Sequence, residues 1–316
     1  MYHRIADVNN DPWQLAVSPG NFEQHLRLLQ KKFYIITVPE LLVQLNDKSI
    51  TSNSVCLTFD DGYADNFHVA KLLLEKYKCS ATFFVPSQNL LEQQAYWWDE
   101  LEQIILNTIH LPVDFSGFIG SKKITVHLGN ESILTEVIEQ KHNKWRWPDK
   151  PPTQRCELYL RLWEILKPLP TLQLNTELVK IKTWAGENNS ANTLPMTADQ
   201  LQMISAHPLF GVGMHTATHA SLSAHSYDVQ VQEILENKKI LEQYCNRSIS
   251  TIAFPYGDYS EVTLNIIKAL ELDAAFSTKE ASITNESIRT CLSRFQVNNW
   301  DKNFFEMQLL TWFKNA

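Results

Sequence analysis

The sequence predicts an α/β fold, a barrel of parallel strands with helices between them, and three observations carry that expectation. Short runs rich in β-branched and aromatic residues alternate with stretches whose apolar residues recur at helical spacing. Strands separated by helices imply parallel pairing through crossover connections. Three of the strand-like runs also end in reactive or turn-forming residues: Val55-Cys56-Leu57 before Thr58-Phe59-Asp60-Asp61-Gly62, Gly211-Val212-Gly213-Met214 before His215-Thr216-Ala217-Thr218-His219, and Ile252-Ala253 before Phe254-Pro255-Tyr256-Gly257. Strands that all deliver such residues at their C-termini suggest one face of a barrel.

In chain order, Tyr2-His3-Arg4 reads as the first barrel strand. Asn21 to Lys31 places Phe22, Leu26, Leu28 and Leu29 on a helix, which the strand Tyr34 to Val38 follows. Pro39 then opens a helix through Leu45, its fixed φ being suited to a first turn. After the Asp-Asp-Gly segment comes the helix Ala64 to Tyr77, then the strand Ala81 to Val85. The alternation resumes with the strand Phe210 to Met214, the helix Val229 to Tyr244 and the strand Ile252 to Phe254. Ser260 caps a helix through Leu270, and Ala274 to Ser277 is the last strand.

Between Tyr96 and Met196 the rhythm breaks. That stretch carries Trp97, Trp98, Trp145, Trp147, Trp163 and Trp184, six of the nine tryptophans, with a hairpin expected over Val113 to Leu128 and helices over Gln154 to Leu166 and Leu174 to Ala185. A structureless loop of that length is unusual in a compact domain. The reading is therefore one barrel domain over 1–95 and 197–316, with a Trp-rich, mainly helical subdomain, 96–196, inserted and flanking the cleft. Trp97 and Trp98 are candidate platforms for sugar rings. The competing reading is that they fill the insertion's own core.

Whole-chain numbers fit a globular enzyme. With 316 residues, 44% hydrophobic and 20% charged, the chain is long enough for a sizeable core. A net charge of −7 and the lack of a basic cluster argue against nucleic acid held through phosphates. No apolar run is long enough to span a membrane. Cys56, Cys79, Cys156, Cys245 and Cys291 show no CxxC pairing and read as reduced thiols. Together with an N-terminus lacking an apolar signal segment, this gives a cytoplasmic expectation. The oligomeric state is open.

Chemistry enters with the carboxylates. Adjacent Asp60 and Asp61 are hard to keep ionised together unless a cation sits between them or one holds a proton. The plain alternative is an Asp-Asp-Gly turn capping the next helix. His215 and His219 stand at i and i+4, the spacing that places two imidazoles on one side of a helical turn where they can share a metal. Chance spacing of one surface and one core histidine is the alternative.

Taken in this order, Thr58-Phe59-Asp60-Asp61-Gly62, His215-Thr216-x-x-His219 and Phe254-Pro255-Tyr256-Gly257 resemble the signature motifs of NodB-type polysaccharide deacetylases, carbohydrate esterase family 4. The resemblance runs from Met1 to about Val297. It implies a distorted (β/α)7-type barrel and metal-dependent hydrolysis of N-acetyl groups on amino sugars. It also implies that Asp61, His215 and His219 hold a divalent metal, zinc first, with cobalt, nickel, manganese and iron as further candidates. Asp60 would be the general base, and the backbone N–H of Tyr256 would steady the acyl oxygen, an interaction worth about 3 kcal/mol.

Two departures from the family pattern stand out. A late Leu-x-His motif, which supplies the acid for the leaving amine, is replaced by Cys291-Leu292-Ser293-Arg294-Phe295, and the third motif lacks its arginine. Arg294 cannot donate a proton usefully, but it can orient Asp60 through a bidentate pair. His3 is the candidate acid, because the branch that deacetylates poly-N-acetylglucosamine has a similar Tyr-His opening. A histidine packed at a barrel end is the alternative. The expected partner is an N-acetylated sugar or glycan precursor. A deformylase or other amide hydrolase on the same metal site, and an inactive carbohydrate-binding relative, are the competing functions.

Overall fold

Short parallel strands, each followed by a helix, fold the larger part of the chain around one sheet. The computed structural model describes residues 1–186, 191 and 193–314. Its central strands are β1 (Thr58–Phe59), β2 (Ala81–Val85), β3 (Phe210–Met214), β4 (Thr251–Ala253) and β5 (Ala274–Phe276). They lie side by side in the order β5-β4-β3-β2-β1, all parallel. Isolated parallel bridges extend both edges, Tyr2 to Phe59 and Phe276 to Leu292. The result is a curled half-barrel rather than a closed ring of strands.

Register explains the helix-covered face of the sheet. Tyr2, Phe59 and Phe83 are neighbours across three strands and stack at 5.3 and 5.0 Å. Phe22, on the helix Pro19–Lys32, meets Tyr2 and Phe59 edge-on and covers that face. Alternation along a strand then sends Thr58 and Asp60 to the opposite face. On that face β3 needs glycine, because a Cβ on Gly213 would fall 2.5 Å from Phe84 Cδ1.

The run 55–59 divides where the sequence shows no break. Ser54–Cys56 pairs with Tyr34–Ile36 in a separate two-stranded sheet, while Thr58–Phe59 joins the central one. The following helix is not uniform either: a π-helical turn, Asn66–Ala70, precedes the α-helix Lys71–Lys76. Capping fixes other boundaries. Thr37 and Glu40 form a capping box, so that helix runs Val38–Asn46 and takes Val38 from the expected strand.

The chain forms two compact units. The first is Met1–Asp7, Leu15–Gln93 and Pro195–Ala316; the second is Val8–Gln14 and Gln94–Leu194. Val8–Gln14, expected in the barrel, therefore packs with the inserted segment. Trp13 explains why, since it lies 4.3 Å from Trp163 and donates to the Tyr159 hydroxyl at 2.8 Å. The second unit contains an antiparallel hairpin, Asp114–Ile119 with Lys122–His127, and the helices Glu136–Lys144, Gln154–Leu166 and Thr171–Ala185. Its core includes Leu101, Ile105, Leu162 and Ile181. Arg155 is buried there with its guanidinium donating only to backbone carbonyls, those of Glu131, Ile105, Thr108, Ile109 and Ser132.

Candidate active site

The site forms where β1, β3 and β4 end. β1 delivers Asp60 and Asp61 into a turn closed by Gly62, whose N–H donates to the Asp60 carbonyl at 2.9 Å. Asp61 at φ 70° and Gly62 at φ 69° are both left-handed. A Cβ on Gly62 would also lie 2.8 Å from Val85 Cγ1, so glycine is required there on two counts.

β3 runs straight into His215. The helical turn expected between the histidines does not form: the segment 215–219 is an irregular loop, with Thr216 at φ 62° and His219 at φ 58°. β-Branched threonine avoids that region, so contacts elsewhere must hold the loop. Backbone reversal brings the imidazoles together, with ring centroids 4.8 Å apart and planes at 70°.

Both rings face one carboxylate. Nε2 of His215 lies 3.3 Å, and Nε2 of His219 3.1 Å, from Asp61 Oδ1, and all three residues are buried. Nδ1 of His215 is 2.8 Å from the Ala253 carbonyl oxygen on β4. A carbonyl only accepts, so Nδ1 carries a hydrogen, and in the neutral tautomer that this selects the bare lone pair of Nε2 turns toward Asp61. Such a pair calls for a cation. Burial drives the His219 pKa down to about 4 against the pull of Asp61, so a proton fills that role poorly near neutrality. Donors placed tetrahedrally about 2.1 Å from an ion stand roughly 3.4 Å from one another, close to both separations here. Two imidazole nitrogens and a carboxylate with room for further ligands fit a divalent metal.

Asp60 is held apart from that set. Arg294 Nη1 and Nη2 donate to its two oxygens, each at 2.7 Å. The guanidinium also donates to Thr58 Oγ1 at 3.2 Å and, through Nε, to the Ser277 carbonyl at 3.1 Å. It lies 5.5 Å from the Phe84 ring centre and 5.8 Å from that of Phe276. Burial pushes the Asp60 carboxyl up, but Arg294 and His215 outweigh it and hold the pKa below the ordinary value. Asp61 shows the same contest, with the two histidines holding its pKa well below the carboxylate range.

His3 reaches the same neighbourhood from the edge strand. Its Nδ1 is buried with no hydrogen-bond partner among the described residues, and Asn66 Nδ2 fixes its backbone by donating to the carbonyl at 2.7 Å. Burial lowers its pKa, while the Asp61 and Asp60 carboxylates pull it back up. Tyr256 sits in the turn Pro255–Gly257 at φ 58°, with its ring edge-on to His219 at 4.5 Å. Asp258 ties that turn to the loop after His219 by accepting from Ser221 Oγ and Ser223 N. Trp97 and Trp98 belong to the second unit. Trp98 is buried and stacked on Tyr96 at 4.6 Å, and Trp97 is half-buried and packed against the core of that unit.

Sequence reasoning missed Glu233 and Asn237, which bond the loop that carries the histidines. The signal was present: Gln230, Ile234, Asn237 and Leu241 are buried on one stripe of the helix Tyr227–Cys245, and two of the four are polar.

The family model for polysaccharide deacetylases matches residues 47–111 and 161–275. The chain belongs to the polysaccharide deacetylase family. Among curated relatives, YxkH of Bacillus subtilis (strain 168), whose name carries the words polysaccharide deacetylase, is 35% identical over 92 residues. That match covers 28% of this chain and 32% of the relative, so the chain spans about a third of that protein's length. Solved structures show the same fold. The Streptococcus pyogenes deacetylase PplD in complex with acetate aligns over 99% of this chain and 96% of its own, with a TM-score of 0.56 and 19% identity. A de-N-acetylase from Aggregatibacter actinomycetemcomitans aligns over 94% and 93%, with a TM-score of 0.55 and 14% identity. Among the described residues no helix is long and apolar enough to cross a membrane.

Proposed function

We propose that this deacetylase-family chain removes the N-acetyl group from an amino sugar in a metal-dependent hydrolysis. One observation carries the reading: Asp61, His215 and His219 converge on one point, while Arg294 holds the neighbouring carboxylate of Asp60 out of that set. Asp61, His215 and His219 would hold the ion, with zinc the first candidate. A divalent ion bound there polarises water and the acyl oxygen. Asp60, kept ionised and oriented by Arg294, accepts a proton from the attacking water. The backbone N–H of Tyr256, displayed by its left-handed turn, donates to the acyl oxygen as negative charge develops. The C–N bond then breaks, acetate leaves, and the amine nitrogen takes its proton from His3, whose Nδ1 has no partner among the described residues. The isolated bridges at Tyr2 and Leu292, flanking the five-stranded sheet, support reading it as a distorted seven-stranded barrel.

The test is acetate release from short N-acetylglucosamine oligomers and N-acetylated sugar nucleotides, after chelation and after zinc is returned. Zinc-dependent acetate that is absent from Asp61→Ala supports the reading. Release of formate instead of acetate from N-formyl analogues would move the proposal to another acyl group. Sugar binding without any release would make the chain a binding protein.

A further inference from the structure

The loop between the two histidines is irregular, left-handed at Thr216 and again at His219, yet it must present two imidazoles to one point. Most of its backbone N–H groups are bonded to one helix, Tyr227–Cys245, while the Ala217 carbonyl accepts from Gln88 N at 2.8 Å. Asn237 Oδ1 accepts from His215 N at 2.9 Å. Glu233 accepts from Ala217 N through its carbonyl at 2.9 Å, from Thr218 N through Oε2 at 2.9 Å, and from Thr218 Oγ1 through Oε1 at 2.8 Å. Three of the four backbone N–H groups from His215 to Thr218 thus end on two residues one helical turn apart. Asn237 is fully buried, and its Nδ2 donates to the Val85 carbonyl on β2 at 3.1 Å, so the helix, β2 and β3 are tied together directly below the ligands.

Buried polar side chains are unfavourable where an apolar residue could pack, unless each polar atom is bonded. At Asn237 both the donor and the acceptor are used. Neither residue touches the converging Nε2 and Oδ1 atoms, so any influence on them passes through the loop. We infer that Glu233 and Asn237 are positioning residues that lock the His215–His219 loop in its metal-holding shape, an inference that rests on reading Asp61, His215 and His219 as metal ligands. Without the clamp the loop relaxes away from its left-handed residues, and the two imidazoles must be reordered each time an ion binds. Groups that orient ligands from behind typically change metal affinity by about 10- to 100-fold.

The experiment measures zinc affinity by competition with a chromophoric chelator for the wild type, Glu233→Ala, Asn237→Ala and Glu233→Gln, with folding of each zinc-free chain followed by circular dichroism. Glu233→Ala and Asn237→Ala are expected to bind zinc about 10- to 100-fold more weakly while keeping the wild-type spectrum. Glu233→Gln retains one acceptor and should lie between; it decides the matter if the alanine variants do not fold. Folded variants that bind zinc within twofold of the wild type, whatever their melting temperatures, overturn the inference. A wild type that binds no zinc overturns the metal reading instead and takes this inference with it.

Discussion

Arg294 holds both oxygens of Asp60 at 2.7 Å across 234 residues of sequence. The pair is buried and closes the sheet edge near Leu292 onto the end of β1. Removing one partner of a buried ion pair leaves an uncompensated charge, typically at about 3–5 kcal/mol. Arg294→Met should therefore lower the unfolding free energy by a few kcal/mol in urea titrations and abolish turnover. Arg294→Lys keeps the charge but loses the planar fork, so it should recover stability in part and turnover poorly. Full activity in Arg294→Lys would show that charge alone suffices.

Gly213 is the point where β3 passes closest to its neighbours. An added Cβ would fall 2.5 Å from Phe84 Cδ1 and 3.0 Å from Thr251 Oγ1. Phe84 is itself packed against Phe276 at 5.3 Å and has little room to yield. Gly213→Ala should destabilise the chain by about 1–3 kcal/mol, the usual range for overpacking. Chemical denaturation beside the wild type measures it, and an unchanged midpoint would mean that Phe84 moves freely.

Arg155 plays the corresponding part in the second unit. With five backbone carbonyls around one guanidinium, Arg155→Leu leaves buried acceptors unpaired and should cost about 3 kcal/mol or more. The unit reports on itself, because Trp13, Trp97, Trp98, Trp145, Trp147, Trp163 and Trp184 all lie within it. Tryptophan emission should therefore shift at lower denaturant in the variant. A coincident transition in variant and wild type would contradict this.

Burial pushes His142 down to about 4, outweighing its bond to the Leu106 carbonyl, and His25 is lowered to about 4 for the same reason. His142 Nδ1 faces that carbonyl and Nε2 the Thr153 hydroxyl, each at 3.1 Å, so the native ring is satisfied while neutral. Its folded pKa lies below the unfolded value, near 6.5, so between those values the unfolded chain binds more protons. Stability contributed by the neutral ring is complete above about pH 6.5 and is lost as the pH falls toward 4. Its size is up to about 3 kcal/mol. His142→Gln should flatten part of the decline in unfolding free energy between pH 7 and 4, leaving the shares of His25, His219 and His3. An equally steep decline in the variant would assign the effect elsewhere.

Much of this arrangement is legible in the sequence, and the losses have physical causes. Strand ends announce themselves because Asp-Asp-Gly, the two histidines and Pro-Tyr-Gly are residues that a buried strand does not tolerate. The hairpin and the helix Gln154–Leu166 follow from local periodicity alone. Periodicity reports which face is buried, not what a polar group on that face bonds, so Arg155, Glu233 and Asn237 passed unseen. Conformation is hidden for a related reason. An i and i+4 histidine pair suits a helix, whereas tertiary hydrogen bonds hold Thr216 and His219 left-handed. Val8–Gln14 packs with the second unit because the contacts of Trp13 with Trp163 and Tyr159, with the bond from Trp147 N to the Pro12 carbonyl, outweigh chain proximity.

Metal linkage gives the last prediction. Asp61, His215 and His219 gather only in the folded chain, so an ion they hold binds the native state in preference to the unfolded one. At a free zinc concentration one hundred times the dissociation constant the stabilisation is about 2.7 kcal/mol. In a domain of this size each kcal/mol moves the midpoint by about 2–4 °C, so zinc should raise the melting temperature by roughly 5–10 °C over the chelated chain. Asp61→Ala, which leaves two imidazoles without their carboxylate, should lose most of that rise while unfolding normally in chelator. An equal zinc response in Asp61→Ala would place the ion on some other cluster. No zinc response in the wild type, at concentrations that saturate ordinary catalytic sites, would leave Asp61 and the two histidines as a hydrogen-bonded group, and the proposed reaction without its ion.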